Sequence, residues 1–388
     1  MTTWTLDRGI RFLPWAVLVA TFDRAVVIPM LLGMSRDFGV SISTMTLSVS
    51  AYYLAYGLAQ PAWGLVSDRL GRIPTLRLAL VLAAVTDLIS VVPMPIGPLI
   101  VSRAVAGAMM AGVFPTAVIF IGDAITDRSR RQPAIVGLQA GVALGLTMGT
   151  ILGGIGIATI GWQAFFVITA VVSVAMAWYV RGLPDPSSPG PRLPALTSFR
   201  LVLSQRWPWT LYTLVFVEAA LLLGAFALVP TALEATGSSA YVAGLMAGGY
   251  GAAVLAGSLV VGRLSLRVPP HLLLLIGGVA AAVAFAILGV EVTPVLVFVS
   301  VALQGVAWVF MHTTLQTWAT MLSDTARATA VSLFAGFMFL GNGFGSYAAG
   351  VALESRGASQ LFWATSIGLA AFTAVAVVSR RTYSEHLG

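Results

Sequence analysis

The sequence contains no cysteine and no lysine. The first absence excludes disulfides, thiolate metal sites and cysteine nucleophiles. The second excludes a Schiff-base lysine. Charge is scarce too, since Asp, Glu, Lys and Arg make up only 9% of the 388 residues. A chain this poor in charge does not have water as its main solvent. The three histidines, His271, His312 and His386, are too far apart in the sequence to show metal-ligand spacing. No GxxxxGK[ST] phosphate loop occurs, so ATP is not expected as a direct energy source.

What the sequence does have is apolar length. Hydrophobic residues are 58% of the chain and its mean hydropathy is +0.94. The apolar stretches are long enough to cross about 30 Å of hydrocarbon, which takes roughly 20 helical residues each. Spans are predicted near 12–34, 43–65, 74–94, 98–121, 132–156, 162–180, 207–232, 240–262, 271–290, 294–317, 328–352 and 359–379. The expected fold is therefore an all-α integral membrane protein with the lipid bilayer as its surroundings. The first stretch follows Arg8 and Arg11, as a signal peptide would. It is too long for one, carries Asp23-Arg24 in its middle and is followed by no small-x-small cleavage pattern, so it is expected to remain as a span.

The formal net charge is +7, but the arginines are scattered between apolar runs instead of forming a face, so nucleic acid is not an expected partner. Arg69, Arg72, Arg77, Arg128, Arg130, Arg131, Arg181, Arg192, Arg200, Arg206, Arg263, Arg267, Arg327, Arg380 and Arg381 alternate to one side of the predicted spans, and Arg36 and Arg356 lie in loops on the other. The positive-inside rule makes the crowded side cytoplasmic, and both termini with it, in a bacterial cytoplasmic (inner) membrane.

A proline-rich polar stretch, Leu183-Pro-Asp-Pro-Ser-Ser-Pro-Gly-Pro-Arg192, cannot be a buried helix and reads as a linker. It divides the chain into residues 1–181, a cytoplasmic linker 182–206 and residues 207–388. Asp127-Arg-Ser-Arg130 before span 5 has a counterpart in Asp324-Thr-Ala-Arg327 before span 11, and Gly145/Gly149 have counterparts in Gly341/Gly345. Parallel six-span repeats place a binding site at their interface near mid-membrane.

Several residues stand out against this background. The loop between spans 2 and 3 reads Gly64-Leu-Val-Ser-Asp68-Arg69-Leu-Gly71-Arg72, where glycines permit a tight turn and the charges can bind and release another helix end. Asp68 facing the start of span 11 is the expected conformational latch. Span 5 contains Gly145-Leu-Thr-Met-Gly149-Thr150-Ile-Leu-Gly153-Gly154, a smooth stripe for close helix packing. Asp23 in span 1, Arg103 in span 4 and Glu218 in span 7 lie deep in the apolar runs. A charge there costs roughly 2.5–3.5 kcal/mol on insertion scales, so such residues are functional candidates or structural ion pairs. Asp87 in span 3 is expected near the outer interface in a structural role, and His312 in span 10 as a packing residue. Arg24, Tyr52, Tyr53, Tyr56, Tyr250, Trp308, Gln316 and Asn342 are candidates to line a substrate cavity, although packing or interface anchoring explains most of them equally well.

The Gly64–Arg72 loop resembles the signature of the major facilitator superfamily, of the form G-x-L-a-D-r-x-G-r-[rk], and departs from it at Ile73. In the second half only Gly262-Arg263 remains of this signature. The glycine stripe of span 5 looks like that of the family's drug:proton antiporter branch, with Thr150 where proline is usual. Arg103-Ala-Val-Ala-Gly107 is similar to its R-x-x-q-G element, with Ala106 in place of glutamine. The resemblance implies twelve helices in two pseudo-symmetric six-helix bundles. It also implies that spans 1, 4, 7 and 10 line the cavity, so that Asp23, Arg24, Arg103 and Glu218 converge. With Asp87, the embedded acids exceed the bases by one, which leaves one carboxylate as a proton carrier.

The expected function is thus a monomeric, cofactor-free secondary transporter. Proton antiport would drive export of a small amphiphilic molecule, with Asp23, Glu218 and Arg103 coupling the proton. Proton-coupled uptake of a sugar, organic anion or other nutrient is the alternative. A membrane enzyme or sensor lacks support, because no nucleophile–base pair, metal cluster or output domain is visible.

Overall fold

The computed structural model describes residues 3–125, 127–185, 195–264, 267–323 and 325–387. Part of the predicted linker, including Arg192, lies outside the described residues, as does Asp324 of the repeated Asp-x-x-Arg element.

Span 1 runs Thr3–Val26, turns through a single 3₁₀ turn at Ile28–Met30 and continues as Leu31–Phe38. Spans 2 and 3 are Ile42–Leu70 and Arg72–Val91; span 4 is Ile96–Met110 followed by Val113–Ala124; spans 5 and 6 are Arg128–Ile157 and Trp162–Val180. A short helix, Ala195–Leu203, precedes span 7, which is Arg206–Phe226 followed by Val229–Ala235. Spans 8 to 12 are Ala240–Leu264, Pro270–Val290, Pro294–Met321, Arg327–Arg356 and Ala358–Leu387. Among the described residues, eleven helices are long and apolar enough to cross a membrane. Span 2 is equally long but more polar, and its Thr46, Ser48, Ser50, Tyr52, Tyr53, Tyr56 and Gln60 are turned inward and buried.

Local chemistry sets the helix ends. Ser41 caps span 2 by accepting from the Thr44 N–H at 3.2 Å, and Thr293 caps span 10 by accepting from the Leu296 N–H at 3.4 Å. Span 2 stops at Gly71, whose φ of +91° suits glycine and aims span 3 back into the membrane.

Each half has its own apolar core, one built mainly from residues 13–177 and the other from 202–383. Phe339 of the second half enters the first core and Ile28 enters the second, which ties the bundles at their seam. Large apolar side chains such as Leu58, Leu259 and Val290 are 70% or more exposed, as expected of a surface turned to lipid.

Glycines mark where the bundles touch. A Cβ on Gly154 of span 5 would collide with the Ala240 carbonyl and the Gly244 backbone of span 8, and one on Gly251 with the Thr147 side chain. Span 11 approaches span 2 in the same way, Gly350 at Thr46, Gly343 at Ser50 and Leu54, and Gly57 at Gly336 and Leu340. The span 5–span 8 contacts run from the end of the membrane opposite the arginine-rich loops down to its middle.

Candidate functional site

The most deeply buried charges form one cluster in the first bundle. Arg103 donates from Nη1 to Asp87 Oδ1 at 2.7 Å, and from Nη2 to Asp23 Oδ1 and Oδ2 at 3.1 and 3.2 Å. Both carboxylates are 0% exposed and the guanidinium 2%. Its carbon lies 4.9 Å from the Tyr52 ring centre and 4.6 Å from that of Phe166, so two π faces close the site. Local sequence explains the placement. Spans 3 and 4 form a hairpin pinned by Ser90 and Ser102, whose hydroxyls are 2.8 Å apart, and this register brings Asp87 opposite Arg103. Gly107, one turn beyond Arg103, leaves no room for a Cβ beside the Tyr52 backbone, so span 4 lies directly against span 2.

Two carboxylates face one guanidinium here, and the cluster is neutral only when a single proton sits on the acid pair. The carboxyl groups also face each other, and Asp87 Oδ2 is buried with no hydrogen-bond donor from the protein. Asp87 lies four residues from the end of span 3, at the depth expected of it, but its position is corrected in one respect: it is enclosed as a partner of Arg103 and does not face an interface.

The second bundle carries its own pair. Glu218 is fully buried, and its Oε2 lies 3.1 Å from His312 Nδ1. The imidazole stacks on Trp308 at 3.9 Å and 11°, with Phe334 at 5.2 Å on a tilted plane. Glu218 Oε1 has no partner among the described residues. His312 is therefore an acid's neighbour as well as a packing residue. Gln316 is half-buried one turn further along span 10.

Between the two clusters lies an aromatic seam. Tyr56 of span 2 and Phe339 of span 11 have ring centres 4.1 Å apart, and the Arg24 guanidinium sits 5.9 Å from the first and 5.2 Å from the second. The Tyr53 ring stacks on Phe339 with centres 6.1 Å apart, and Asn342 accepts from Ser346 Oγ at 3.2 Å. Tyr250 packs on Phe226 at 4.5 Å and stands within electrostatic reach of both Arg24 and Glu218. Arg24, Arg103, Ser48, Tyr52, Tyr53, Val27 and Val49 line one cavity. The expected convergence of Asp23, Arg24, Arg103 and Glu218 at one point is thus replaced by two ion clusters bridged by tyrosines. Asp23 and Asp87 pair with Arg103 inside the first bundle and Glu218 pairs with His312 inside the second, which limits the desolvation cost of these acids.

The Gly64–Arg72 loop is organised around Arg72, which is 1% exposed. Its Nη1 donates to Asp68 Oδ1 at 2.8 Å and to the Ser67 carbonyl at 2.7 Å, and its Nε to Asp123 Oδ2 at 2.9 Å. Asp185, after span 6, accepts from the Arg72 and Ile73 N–H groups at 3.2 and 3.4 Å. Arg72 therefore ties the loop to the ends of spans 4 and 6 in its own bundle. Arg69 is exposed, and a Cβ on Gly64 would meet nothing. In span 5, Gly145, Gly149 and Gly153 seat span 1 at Leu18, Phe22 and Val26, one turn apart, and Gly154 turns to span 8. Gly341 and Gly345 repeat this in the second half against Phe216 and Ala220 of span 7.

The described residues hold no group of three or more His, Cys, Asp or Glu side chains arranged to bind a metal.

Comparison with known proteins agrees with this architecture. The chain is 30% identical over 178 residues to efflux pump dotC of Dothistroma septosporum, and 28% identical over 176 residues to citrate exporter 1 of Aspergillus niger. Each match spans 45% of this chain, but only 30% and 33% of those relatives, so the chain aligns with about a third of their length. Among solved structures, a bacterial homologue of the human lysosomal transporter Spinster, inward-facing and unoccupied, superposes with a TM-score of 0.79 at 18% identity, covering 99% of both chains. The model of the Major Facilitator Superfamily matches residues 15–241 and 212–387. With two six-helix bundles meeting at a seam between embedded charges, the chain belongs to the major facilitator superfamily.

Proposed function

We propose that this protein is a proton-coupled secondary transporter that exports small amphiphilic molecules by alternating access. The observation that carries the proposal is the Asp23–Arg103–Asp87 cluster. It is a buried site whose acids exceed its base by one, so it gains or loses one proton with little other change. Asp23 and Asp87 hold the proton, Arg103 fixes their geometry, and Glu218 with His312 forms the counterpart in the second bundle.

Residues 1–181 and 207–388 rock as units joined by 182–206. Arg24, Tyr52, Tyr56, Tyr250, Trp308, Gln316 and Asn342 provide the substrate surface. Gly64, Asp68, Arg69, Gly71 and Arg72 control the arginine-rich end. By the positive-inside rule that end, with both termini, faces the cytoplasm of a bacterial cell, and one chain forms the working unit. The fungal relatives, an efflux pump and a citrate exporter, support outward transport.

The sense of coupling follows from the charge of the cargo. A cation competes with the proton for the carboxylates, which gives antiport, whereas an anion favours protonation, which gives movement in the same direction. The test is a solute screen in proteoliposomes with a lumenal pH dye. Active solutes are expected to shift lumenal pH, and Asp23→Asn, Asp87→Asn and Glu218→Gln to abolish the shift. Full proton-linked activity in all three variants overturns carboxylate coupling.

A further inference from the structure

We infer that Arg24 is the receptor for the cargo's charged group, and that the cargo is an organic anion with a flat or apolar body which travels together with a proton. The inference deepens the transport reading above and rests on it; a cargo that shares the proton's direction leaves the cell down its own concentration gradient, against that of the proton.

Arg24 differs from the other embedded charges in its surroundings. Arg103 has Asp23 and Asp87, Glu218 has His312, and Arg72 has Asp68 and Asp123. Among the described residues no carboxylate lies within ion-pair distance of Arg24; it has instead the faces of Tyr56 and Phe339, one from each bundle. Ring faces hold a cation with about 0.5–2 kcal/mol but do not neutralise it. A counter-ion arriving at this seam touches both bundles at once, as a molecule that governs their rocking must.

The cavity beside Arg24 has the complementary chemistry. Its polar lining residues are Arg24, Arg103, Ser48, Tyr52 and Tyr53, with Val27 and Val49 as apolar wall. The carboxylates of Asp23 and Asp87 are wholly covered, so the surface a solute meets is rich in donors and positive. The aromatic walls suit a flat or apolar body.

Charge balance sets the proton's part. The groups around Arg24 are its chain neighbour Asp23, with Asp87 and Arg103 behind it, the hydroxyls of Tyr52, Tyr53, Tyr56 and Tyr250, and Glu218 with His312 beyond Tyr250. Asp23 and Asp87 are balanced by Arg24 and Arg103, so the empty site around Arg24 is neutral. An added anion restores that balance by bringing a proton onto the Asp23–Asp87 pair. An added cation would sit against two guanidiniums.

The test uses the full chain and two permanently ionised probes of matched size, naphthalene-2-sulfonate and a naphthylmethyl trimethylammonium salt. Tryptophan fluorescence titration should show saturable binding of the sulfonate only, weakened at least about tenfold in Arg24→Gln, with Arg24→Lys intermediate. In proteoliposomes an outward sulfonate gradient should make the lumen more alkaline, and Asp87→Asn should remove that change while keeping sulfonate binding. Melting temperatures of each variant check folding, and Arg24→Lys keeps the charge if Arg24→Gln fails to fold. Absence of sulfonate binding, equal binding by Arg24→Gln, or binding of the ammonium probe instead overturns the inference. Carboxylate-dependent movement of the ammonium probe would end the anion assignment and leave the transport reading standing. Sulfonate binding lost in Arg24→Gln, with no flux of any solute, would end the transport reading.

Discussion

Glu354, in the last turn of span 11, accepts a hydrogen bond from the backbone N–H of Ser43, at the start of span 2, at 3.0 Å. An acid at the C-terminal end of its own helix opposes that helix's dipole, but here it satisfies the Ser43 N–H in the first turn of a helix from the other bundle. The bond closes the arginine-poor end and must break whenever that end opens.

Glu354→Ala is therefore expected to open this end more often. Because the chain has no cysteine, Ser48→Cys in the cavity gives a single labelling site. Its reaction with a membrane-impermeant maleimide from the arginine-poor side should become a few-fold faster in the Glu354→Ala background; an unchanged rate contradicts the role of this cap.

Gly154→Val should jam the seam between spans 5 and 8, since the added Cβ alone would lie 2.8 Å from Gly244 Cα. Overpacking of this kind costs about 1–3 kcal/mol. A lower melting temperature and loss of transport are expected, while Gly262→Ala, where a Cβ meets nothing, leaves both intact.

Arg103→Gln leaves two buried carboxylates without their cation, a loss of about 3–5 kcal/mol. The triple variant Arg103→Gln/Asp23→Asn/Asp87→Asn removes the stranded charge and should recover much of that loss. Unfolding of the two in the same detergent checks the order; a triple variant less stable than the single one refutes the charge argument.

Arg72→Lys keeps the charge but loses the planar fork that reaches Asp123, Asp68 and the Ser67 carbonyl together. A destabilisation of about 1–3 kcal/mol is expected. Faster proteolysis in the loops joining spans 2–3 and 4–5, relative to the parent, would report it.

The spans were legible because apolar runs measure the hydrocarbon directly, but helix ends were not. Span 2 reaches Leu70 and span 11 reaches Arg356, each a turn past its predicted limit, because a helix continues until a stop such as Gly71 or Gly357. Asp23, Arg103 and Glu218 stood out as charges in oil, yet which charge pairs with which depends on register between helices. Asp87 was the recoverable case: spans 3 and 4 are joined by a tight turn and must lie side by side, and a guanidinium is long enough to bridge the offset between Arg103 and Asp87. The partnership of His312 with Glu218 joins helices distant in sequence, and no spacing rule points to it. The Arg72 hub was hidden for the same reason, since Asp123 and Asp185 meet it only after spans 4 and 6 have folded back.

Spans 1 and 7 are each interrupted at a matching level, by the 3₁₀ turn at Ile28–Met30 and by the break before Val229. The α-helical ladder is interrupted there and bridged by turn bonds, Met30 N–H to the Val27 carbonyl and Leu228 N–H to the Ala225 carbonyl, so the segments Leu31–Phe38 and Val229–Ala235 can tilt against the shafts that carry Asp23 and Glu218. A molecule jointed in this way can let its rims yield to cargo while each bundle, with its ionic cluster, rocks as one body.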